Sequence, residues 1–325
     1  MRSYTCVLAT AAAVASEFIL ARDSRACSVC QAGDPIYSAG GAGAQEKGTL
    51  SAYLEVQGWY KTSGLLPHEA GEEPEPGSEQ SRGEQIGLYL GWTPIDRLTA
   101  TLLLPWRFNK ITERHEGERP ENLRLNGLGD LSLHLGYVLW RDRDVLPSTW
   151  VELRGFFKAP SGKSSQTVDD EQDPHLQVGT GSWDFGFGLA GSHRLAWASL
   201  YLSAFYRENL EGSLDYKYGD VVLTNAAVEV SLSHFCENPI VGAITPGFEL
   251  NFRYAEQDRS HGEDYDDSGG SVLYATPTLR VRLPWFEGKR PPFVRAGVQI
   301  PLTSHWLYGQ QHEDPVWSAG IGLAY

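Results

Sequence analysis

The chain has 325 residues, a formal net charge of -14 and 35 glycines. The acidic balance excludes nucleic acid as the partner, because binding it requires a net basic surface, and so many glycines are poorly tolerated in a helical fold. After the first residues, no apolar run approaches the roughly 18 to 20 residues that a membrane helix needs, so a helical membrane protein is excluded as well.

The N-terminal residues have the pattern of a secretory signal. Arg2 precedes an apolar stretch over residues 4–15, and small residues suited to cleavage occur at 13–15 and again at 24–26, of which we favour the second. This order of charge, apolar core and small residues is typical of signal peptides. We predict that residues 1–26 are the signal peptide and that residues 27–47 are a short segment lying in the periplasm or plugging a lumen.

Two cysteines, Cys27 and Cys30, stand close together in that segment, and Cys236 is the other cysteine of the mature chain. In an exported protein such a pair forms a disulfide loop, binds a metal, does redox chemistry or stays as thiols. Gln31 stands where a c-type haem site needs His, and no second Cys or His pair completes a zinc site. We favour the Cys27–Cys30 disulfide and predict no cofactor or metal, while pairing with Cys236 stays open.

From residue 48 to residue 325 one pattern repeats: a strand-length segment with alternating apolar and polar residues, followed by a connection. Leu50, Leu54 and Val56 of the first segment, for example, alternate with Ser51 and Glu55. About 12 such segments are present, which predicts an all-β fold, an antiparallel up-and-down transmembrane β-barrel over residues 48–325. The later segments begin near Gln85, Leu98, Asp130, Val151, Ser182, Ser199, Val222, Phe248, Thr278, Val294 and Trp317.

Alternation alone also fits a soluble two-sheet sandwich, but aromatic residues near the segment ends favour the barrel. Such residues form girdles at the two membrane interfaces. On the apolar parity they are Tyr60, Trp92, Trp106, Tyr137, Trp140, Tyr206 and Tyr254.

The connections and the last segment point the same way. Short or Pro-rich turns are predicted at 93–96, 141–147, 192–194 and 284–292, and long polar loops at 62–82, 111–126, 159–177 and 257–270. Short periplasmic turns with long outer loops are typical of barrels of the cell outer membrane. The last segment alternates up to Tyr325, similar to the signal that such barrels present to the barrel-assembly machinery.

The long loops are strongly acidic. Their clusters do not have the ligand spacing of an EF-hand, so we expect solvated loops, with divalent bridging to lipopolysaccharide as the alternative. The acidic residues are Glu69, Glu72, Glu73, Glu75, Glu79, Glu84, Asp169, Asp170, Glu171, Asp173, Glu256, Asp258, Glu263, Asp264, Asp266 and Asp267.

The inward parity carries charges of both signs together with aromatic residues, and we take these as the lining of a transport lumen. The candidates for solute contact are Tyr53, Trp59, Tyr89, Arg107, Asp130, Arg154, Tyr201, Arg207, Arg253, Arg280, Arg282 and Arg295. Further inward residues are Glu55, Lys61, Glu152, Phe156, Lys158, Asp184, Phe205, Glu229, Glu249 and Tyr274.

The slight excess of basic residues in this set favours anionic solutes. Arg280, Arg282 and Arg295 can crowd one wall, which then attracts small amphipathic anions such as aromatic carboxylates. The alternative is that these arginines pair across strands with Glu229 and Glu249.

An enzyme is a weaker interpretation. Ser132 and His134 share one strand face, but a catalytic Ser–His pair needs a third member in place. A lipid hydrolase would also place its site on the outer face at the membrane boundary, whereas this pair is on the inward parity. We therefore predict no catalysis.

Short Gly-rich phrases give the chain a family resemblance. Gly127–Leu131, Thr180–Asp184, Tyr216–Gly219 and the closing residues 317–325 resemble the outer-membrane family of phenol-degradation-pathway (MetA-pathway) transporters. The resemblance implies a channel for small, often aromatic or apolar molecules, distantly similar to the long-chain fatty-acid channels. The segment from Cys27 departs from the family pattern.

Two functions follow from this sequence. The first is passive uptake of a small-molecule solute across the outer membrane. The second is a closed structural barrel that binds a partner, for example a housing for a periplasmic protein that meets Cys27 and Cys30. An open lumen distinguishes the first from the second.

Overall fold

A computed structural model of the protein describes residues 46–61, 79–113, 121–144, 147–168, 172–264, 268–283, 291–305 and 314–324. The predicted signal peptide, Cys27, Cys30 and Tyr325 lie outside these residues. Within the described ranges, no helix is long and apolar enough to cross a membrane.

Sixteen strands make up most of the regular structure in the described part of the chain. They are β1 (Leu50–Lys61), β2 (Glu79–Ile95), β3 (Leu98–Glu113), β4 (Glu121–Leu128), β5 (Leu131–Arg141), β6 (Thr149–Ala159), β7 (Asp184–Arg194), β8 (Ala198–Asn209), β9 (Tyr216–Lys217), β10 (Val221–Val230), β11 (Ile244–Ala255), β12 (Arg259–Ser260), β13 (Glu263–Asp264), β14 (Gly270–Arg282), β15 (Phe293–His305) and β16 (Val316–Ala324). Short helical turns occur at Ser213–Asp215, Leu232–His234 and Pro239–Gly242.

The large sheet closes on itself. β1 pairs antiparallel with both β2 and β16, so the first and last strands join. β4 and β5 occupy one position beside β3, which pairs with each of them in turn. Counting these two as one interrupted strand, the predicted antiparallel barrel of 12 strands is confirmed. β9, β12 and β13 form a separate small sheet in the long loops.

The two faces of the wall separate by parity as predicted. Leu54 and Leu202 point outward, with 44% and 65% of their surface exposed, whereas Tyr53 and Glu55 are buried inside. Large apolar residues exposed on nearly every strand are costly in water and stable in lipid. The outer surface is therefore that of an outer-membrane barrel.

Aromatic residues border this apolar surface at both ends of the strands. Trp140 and Trp197 lie at the end with the short connections and Trp183 and Tyr254 at the opposite end, all four exposed. This arrangement has the two interface girdles expected for a membrane barrel.

Several predicted boundaries were wrong. Residues 79–82 of the loop predicted at 62–82 and residues 93–95 of the turn predicted at 93–96 belong to β2. The turn predicted at 192–194 belongs to β7, which continues to Arg194, and most of the loop predicted at 111–126 belongs to β3 and β4. Alternation fades near the ends of strands because both faces then meet water, while the backbone ladder continues. Sequence pattern therefore underestimates strand length beyond the membrane.

The short connection after β5 is held by Asp142. Its carboxylate accepts hydrogen bonds from the backbone N–H groups of Ser148 and Thr149, at 2.8 and 3.0 Å. The bond from Thr149 contributes most to lowering the pKa of Asp142, because it favours the charged form. This contribution to stability is present above the ordinary carboxyl pKa and is lost as the pH falls through the lowered value.

The connection between β10 and β11, residues 231–243, carries Cys236 at the same end of the barrel. Asn238 caps its short helix by accepting from the N–H groups of Ile240 and Val241. Cys236 forms no disulfide with another residue that the structure describes.

Candidate functional site: the lumen

Between β6 and β7 the structure describes residues 160–168 and 172–183, which fold into the barrel, and we call these residues the lumen loop. Leu176 and Val178 of this loop are 1% and 0% exposed. Leu176 packs against Ile111 and Leu123 of the wall. The side-chain amide of Asn109 donates to the backbone oxygen of Leu176 at 3.1 Å. The loop therefore occupies part of the lumen.

Asp130 anchors the lumen loop at both of its ends. Its Oδ1 accepts from the backbone N–H of Gly162 at 2.9 Å, and its Oδ2 accepts from the N–H and the hydroxyl of Thr180, both at 2.8 Å. Lys158 lies 3.5 Å from the same carboxylate and also pairs with Asp184. Asp130 lies at the break between β4 and β5, where its carboxylate accepts hydrogen bonds from the loop.

Two glycines let the ends of the loop approach each other. A Cβ at Gly162 would lie 2.8 Å from the backbone of Gly129, and one at Gly179 would lie 2.6 Å from the backbone of Gly162. Real Cβ atoms do not come so close to backbone. This crossing therefore requires glycine.

Three of the candidate arginines form ion pairs within the wall. Arg280 lies 2.7 Å from Glu229, and Arg154 lies 2.7 Å from Glu152. Arg295 pairs with Glu249.

Arg282 lies at the end of β14 that has short connections, where it donates to the backbone oxygen of Gly242 at 2.9 Å. Arg280 and Arg295 therefore pair with carboxylates on other strands, which was the alternative considered in the sequence analysis. The three arginines do not crowd together into a positive wall.

The candidate tyrosines surround two of the wall carboxylates. Tyr53 and Tyr89 are buried and donate to Glu55 at 3.5 and 3.3 Å, and Tyr201 donates to Glu229 at 3.4 Å. Buried carboxylates need such donors.

Two further candidate arginines, Arg207 and Arg253, lie nearer the end of the barrel that has the long loops. Arg207 stands over the ring of Phe156, with its guanidinium carbon 6.0 Å from the ring centroid, and Phe205 contacts the same ring. Arg253 and Tyr274 are buried inside the barrel.

A small cavity lies between the wall and the long loops, which we call the outer cavity. Its volume is about 50 Å³. Trp59 and Arg107 line it from the wall, His175 and Thr180 from the lumen loop, and Tyr218 from the loop after β8. Of the residues expected to contact a solute, it brings together Trp59 and Arg107.

The long loops are tied together by Asp258, which we expected to be solvated with the other acidic residues. It is 3% exposed. Its carboxylate accepts from the hydroxyl of Tyr216 at 2.6 Å and from the N–H of Gly219 at 2.7 Å. The expectation was wrong here because two loops pack on each other and supply donors. Asp264 is exposed and pairs with Arg259.

We expect Asp258→Asn to loosen this loop junction. A hydrogen bond to a charged group contributes about 1.5 to 3 kcal/mol, so the Gly219 amide should exchange with deuterium roughly ten times faster or more. The exposed Asp264→Asn is the matched control and should leave the Gly219 amide unchanged. Equal exchange in wild type and Asp258→Asn would contradict the role given to Asp258.

Ser132 and His134 lie on the lumen face, with Ser132 Oγ 3.3 Å from His134 Nε2. The imidazole packs edge-on against Phe156 at a centroid distance of 5.1 Å. The pair is thus remote from the outer face, where a lipid hydrolase would place its site.

Sequence reasoning missed residues of β3 and of the lumen loop that complete this site. Asn109, His175 and Gln177 gave no pattern of their own, since each is a single polar residue among many. The phrases at Gly127–Leu131 and Thr180–Asp184 were the available signal, because both contain residues of the Asp130 anchor.

Comparison with known structures finds several matches. An outer membrane channel from Pseudomonas putida F1 matches with a TM-score of 0.61 and 13% identity, over 87% of this chain and 97% of that chain. The translocator domain of the autotransporter NalP from Neisseria meningitidis matches with a TM-score of 0.41 and 12% identity, over 86% of this chain and 89% of that chain. A scan against protein-family models and a search of curated proteins find no match. The first likeness shows the architecture, and the lumen must carry any argument about function.

Proposed function

We propose that this protein is an outer-membrane channel for passive uptake of small molecules, with the lumen loop as its constriction. The observation that carries the proposal is the contrast between the two faces of the wall. The outer face is apolar, whereas the inner face carries Glu55, Arg154, Glu229 and Arg280 with their partners. A charged inner face is suited to a water-filled path.

The lumen loop favours a narrow, selective channel rather than a wide pore. It is fixed at Asp130 and packed on the wall at Leu176, so it narrows the lumen from one side. A narrow lumen lined with charged and aromatic groups selects solutes by size and charge.

The proposal includes a relationship to the phenol-degradation-pathway transporters. The phrases that resemble phenol-degradation-pathway transporters fall where the loops are held. Gly129, Asp130 and Thr180 form the anchor of the lumen loop, and Tyr216 and Gly219 bind Asp258. A shared loop architecture would explain the resemblance.

Conductance of the purified protein in planar bilayers tests the channel. We expect discrete, small conductance steps, and faster equilibration of small solutes than of larger ones in liposome-swelling experiments. A preparation that inserts as a folded barrel yet gives no steps and no swelling would contradict the proposal.

That outcome would favour the second candidate, a closed barrel that binds a partner. The ion pairs between wall strands and the inward lumen loop favour it specifically, since both place side chains inside the barrel. Binding of a periplasmic protein at the end with short connections, where Cys236 lies, is its expected property.

A further inference from the structure

We propose that the outer cavity is a binding site for the carboxylate of a small organic anion, with Arg107 as the residue that binds it. This inference rests on the proposed function only where it identifies the ligand with the transported solute. Binding itself is measurable whether or not the barrel conducts.

Arg107 differs in its partners from the three candidate arginines that form ion pairs in the wall. Arg154, Arg280 and Arg295 each pair with a carboxylate. The Nε of Arg107 donates to the neutral amide oxygen of Gln85 at 3.2 Å. That bond leaves the positive charge uncompensated by direct contact, and the two outer nitrogens are the part of a guanidinium that binds a carboxylate as a fork.

The charged groups near Arg107 do not neutralise it. Asp130 and Arg207 are within electrostatic range. Both oxygens of Asp130 are already occupied by Gly162 and Thr180, and Lys158 lies beside them. The local potential therefore favours an anion.

The cavity around Arg107 has the composition of an anion site. Among the described residues that line it there is no Asp or Glu, and Lys110 borders it beside Arg107. Arg82 and His175 border it as well, but Arg82 pairs with Glu84 and His175 lies 3.3 Å from Asp173. Asn109 and Thr180 add polar groups. A volume of about 50 Å³ accommodates a carboxylate head group rather than a whole large solute.

An aromatic face lies next to this head-group site. Trp59 borders the cavity, and its ring lies against the backbone of Gly83, where a Cβ would come within 2.0 Å of the indole Cζ2. Tyr218 borders the cavity from the loop side, where its hydroxyl donates to the backbone oxygen of Pro174 at 2.9 Å. Planar apolar groups stack on such rings, so the favoured ligand is a small carboxylate with a planar body.

Titration of the detergent-solubilised full chain with 4-fluorobenzoate, followed by ¹⁹F NMR, tests the site. The neutral 4-fluorobenzamide has nearly the same shape and isolates the effect of charge. We expect saturable binding of the benzoate at least ten times tighter than that of the benzamide. In Arg107→Gln this preference should fall to about one.

Two further variants keep the test decisive. Arg259→Gln removes a loop arginine that is exposed and paired with Asp264, and it should bind both probes like wild type. Trp59→Leu should weaken both probes several-fold and preserve the preference for the anion, which also serves if Arg107→Gln does not fold.

The results separate this inference from the proposed function. Benzoate binding that is equal in wild type and Arg107→Gln, or no binding by a conducting channel, overturns the site and leaves the channel standing. Binding that needs Arg107, in a barrel without conductance, supports the site and overturns passive transport.

Discussion

The Leu202→Arg substitution is expected to destabilise the folded barrel by about 2 to 4 kcal/mol, the cost of an arginine facing lipid near the bilayer midplane. Leu202 is the most exposed large apolar residue of β8, at 65%. It lies midway along the chain between Trp197 and Tyr206, which mark the two ends of this strand's apolar surface. No water is available at that depth to solvate the charge.

The matched control is the next residue, Ser203, which lies on the lumen side where Asn225 donates to its hydroxyl at 3.1 Å. Ser203→Arg adds the same charge to a polar wall and should cost much less. Urea unfolding in lipid vesicles, followed by tryptophan fluorescence, gives both free energies of unfolding. Equal losses, or a larger loss for Ser203→Arg, would mean that the outer face of β8 is not in lipid.

The strand number and the facing of the wall could be predicted because one physical constraint acts on every strand. Lipid on one side and polar groups on the other impose a period of two. Leu54 and Tyr53, adjacent in sequence, end on opposite faces for this reason. The constraint stops at the membrane boundary, so the extension of β3 to Glu113 was not predicted.

The interior of the barrel could not be predicted in the same way. The contacts that place the lumen loop join residues far apart in sequence, such as Asp130 with Gly162 and with Thr180. They depend on a glycine crossing that no local pattern reveals. Which inward arginine keeps a neutral partner is likewise a matter of three-dimensional pairing: Arg280 and Arg107 look alike in sequence.

Asp258 shows the same limit in the loops. It is one of many acidic residues there, and only the packing of Tyr216 and Gly219 against it makes it a buried acceptor. Composition predicted the exposed, solvated state of Asp264 correctly and that of Asp258 wrongly.

The second large effect is expected for Asp130→Asn, which should release the lumen loop. In wild type the carboxylate accepts hydrogen bonds from the N–H groups of Gly162 and Thr180. The side-chain amide of the variant places its own N–H₂ group against one of these donors. Removing one member of a buried ion pair costs about 3 to 5 kcal/mol, and the lower value applies because Lys158 keeps Asp184 as partner. The loss should concentrate in the loop, since the barrel strands keep their own hydrogen bonds.

Hydrogen exchange at the amides of Gly162 and Thr180 and single-channel conductance measure this release. Both amides should exchange at least a hundred times faster in Asp130→Asn, because each 1.4 kcal/mol lost is a factor of about ten. If the loop is the constriction, conductance should rise as well.

Glu249→Gln is the matched control: Glu249 is buried and paired with Arg295 in the wall, without a hydrogen bond to the lumen loop among the described contacts. It should lower stability without changing exchange at either amide. Unchanged exchange in Asp130→Asn would show that the loop is held elsewhere, whereas faster exchange with unchanged conductance would remove the loop from the solute path.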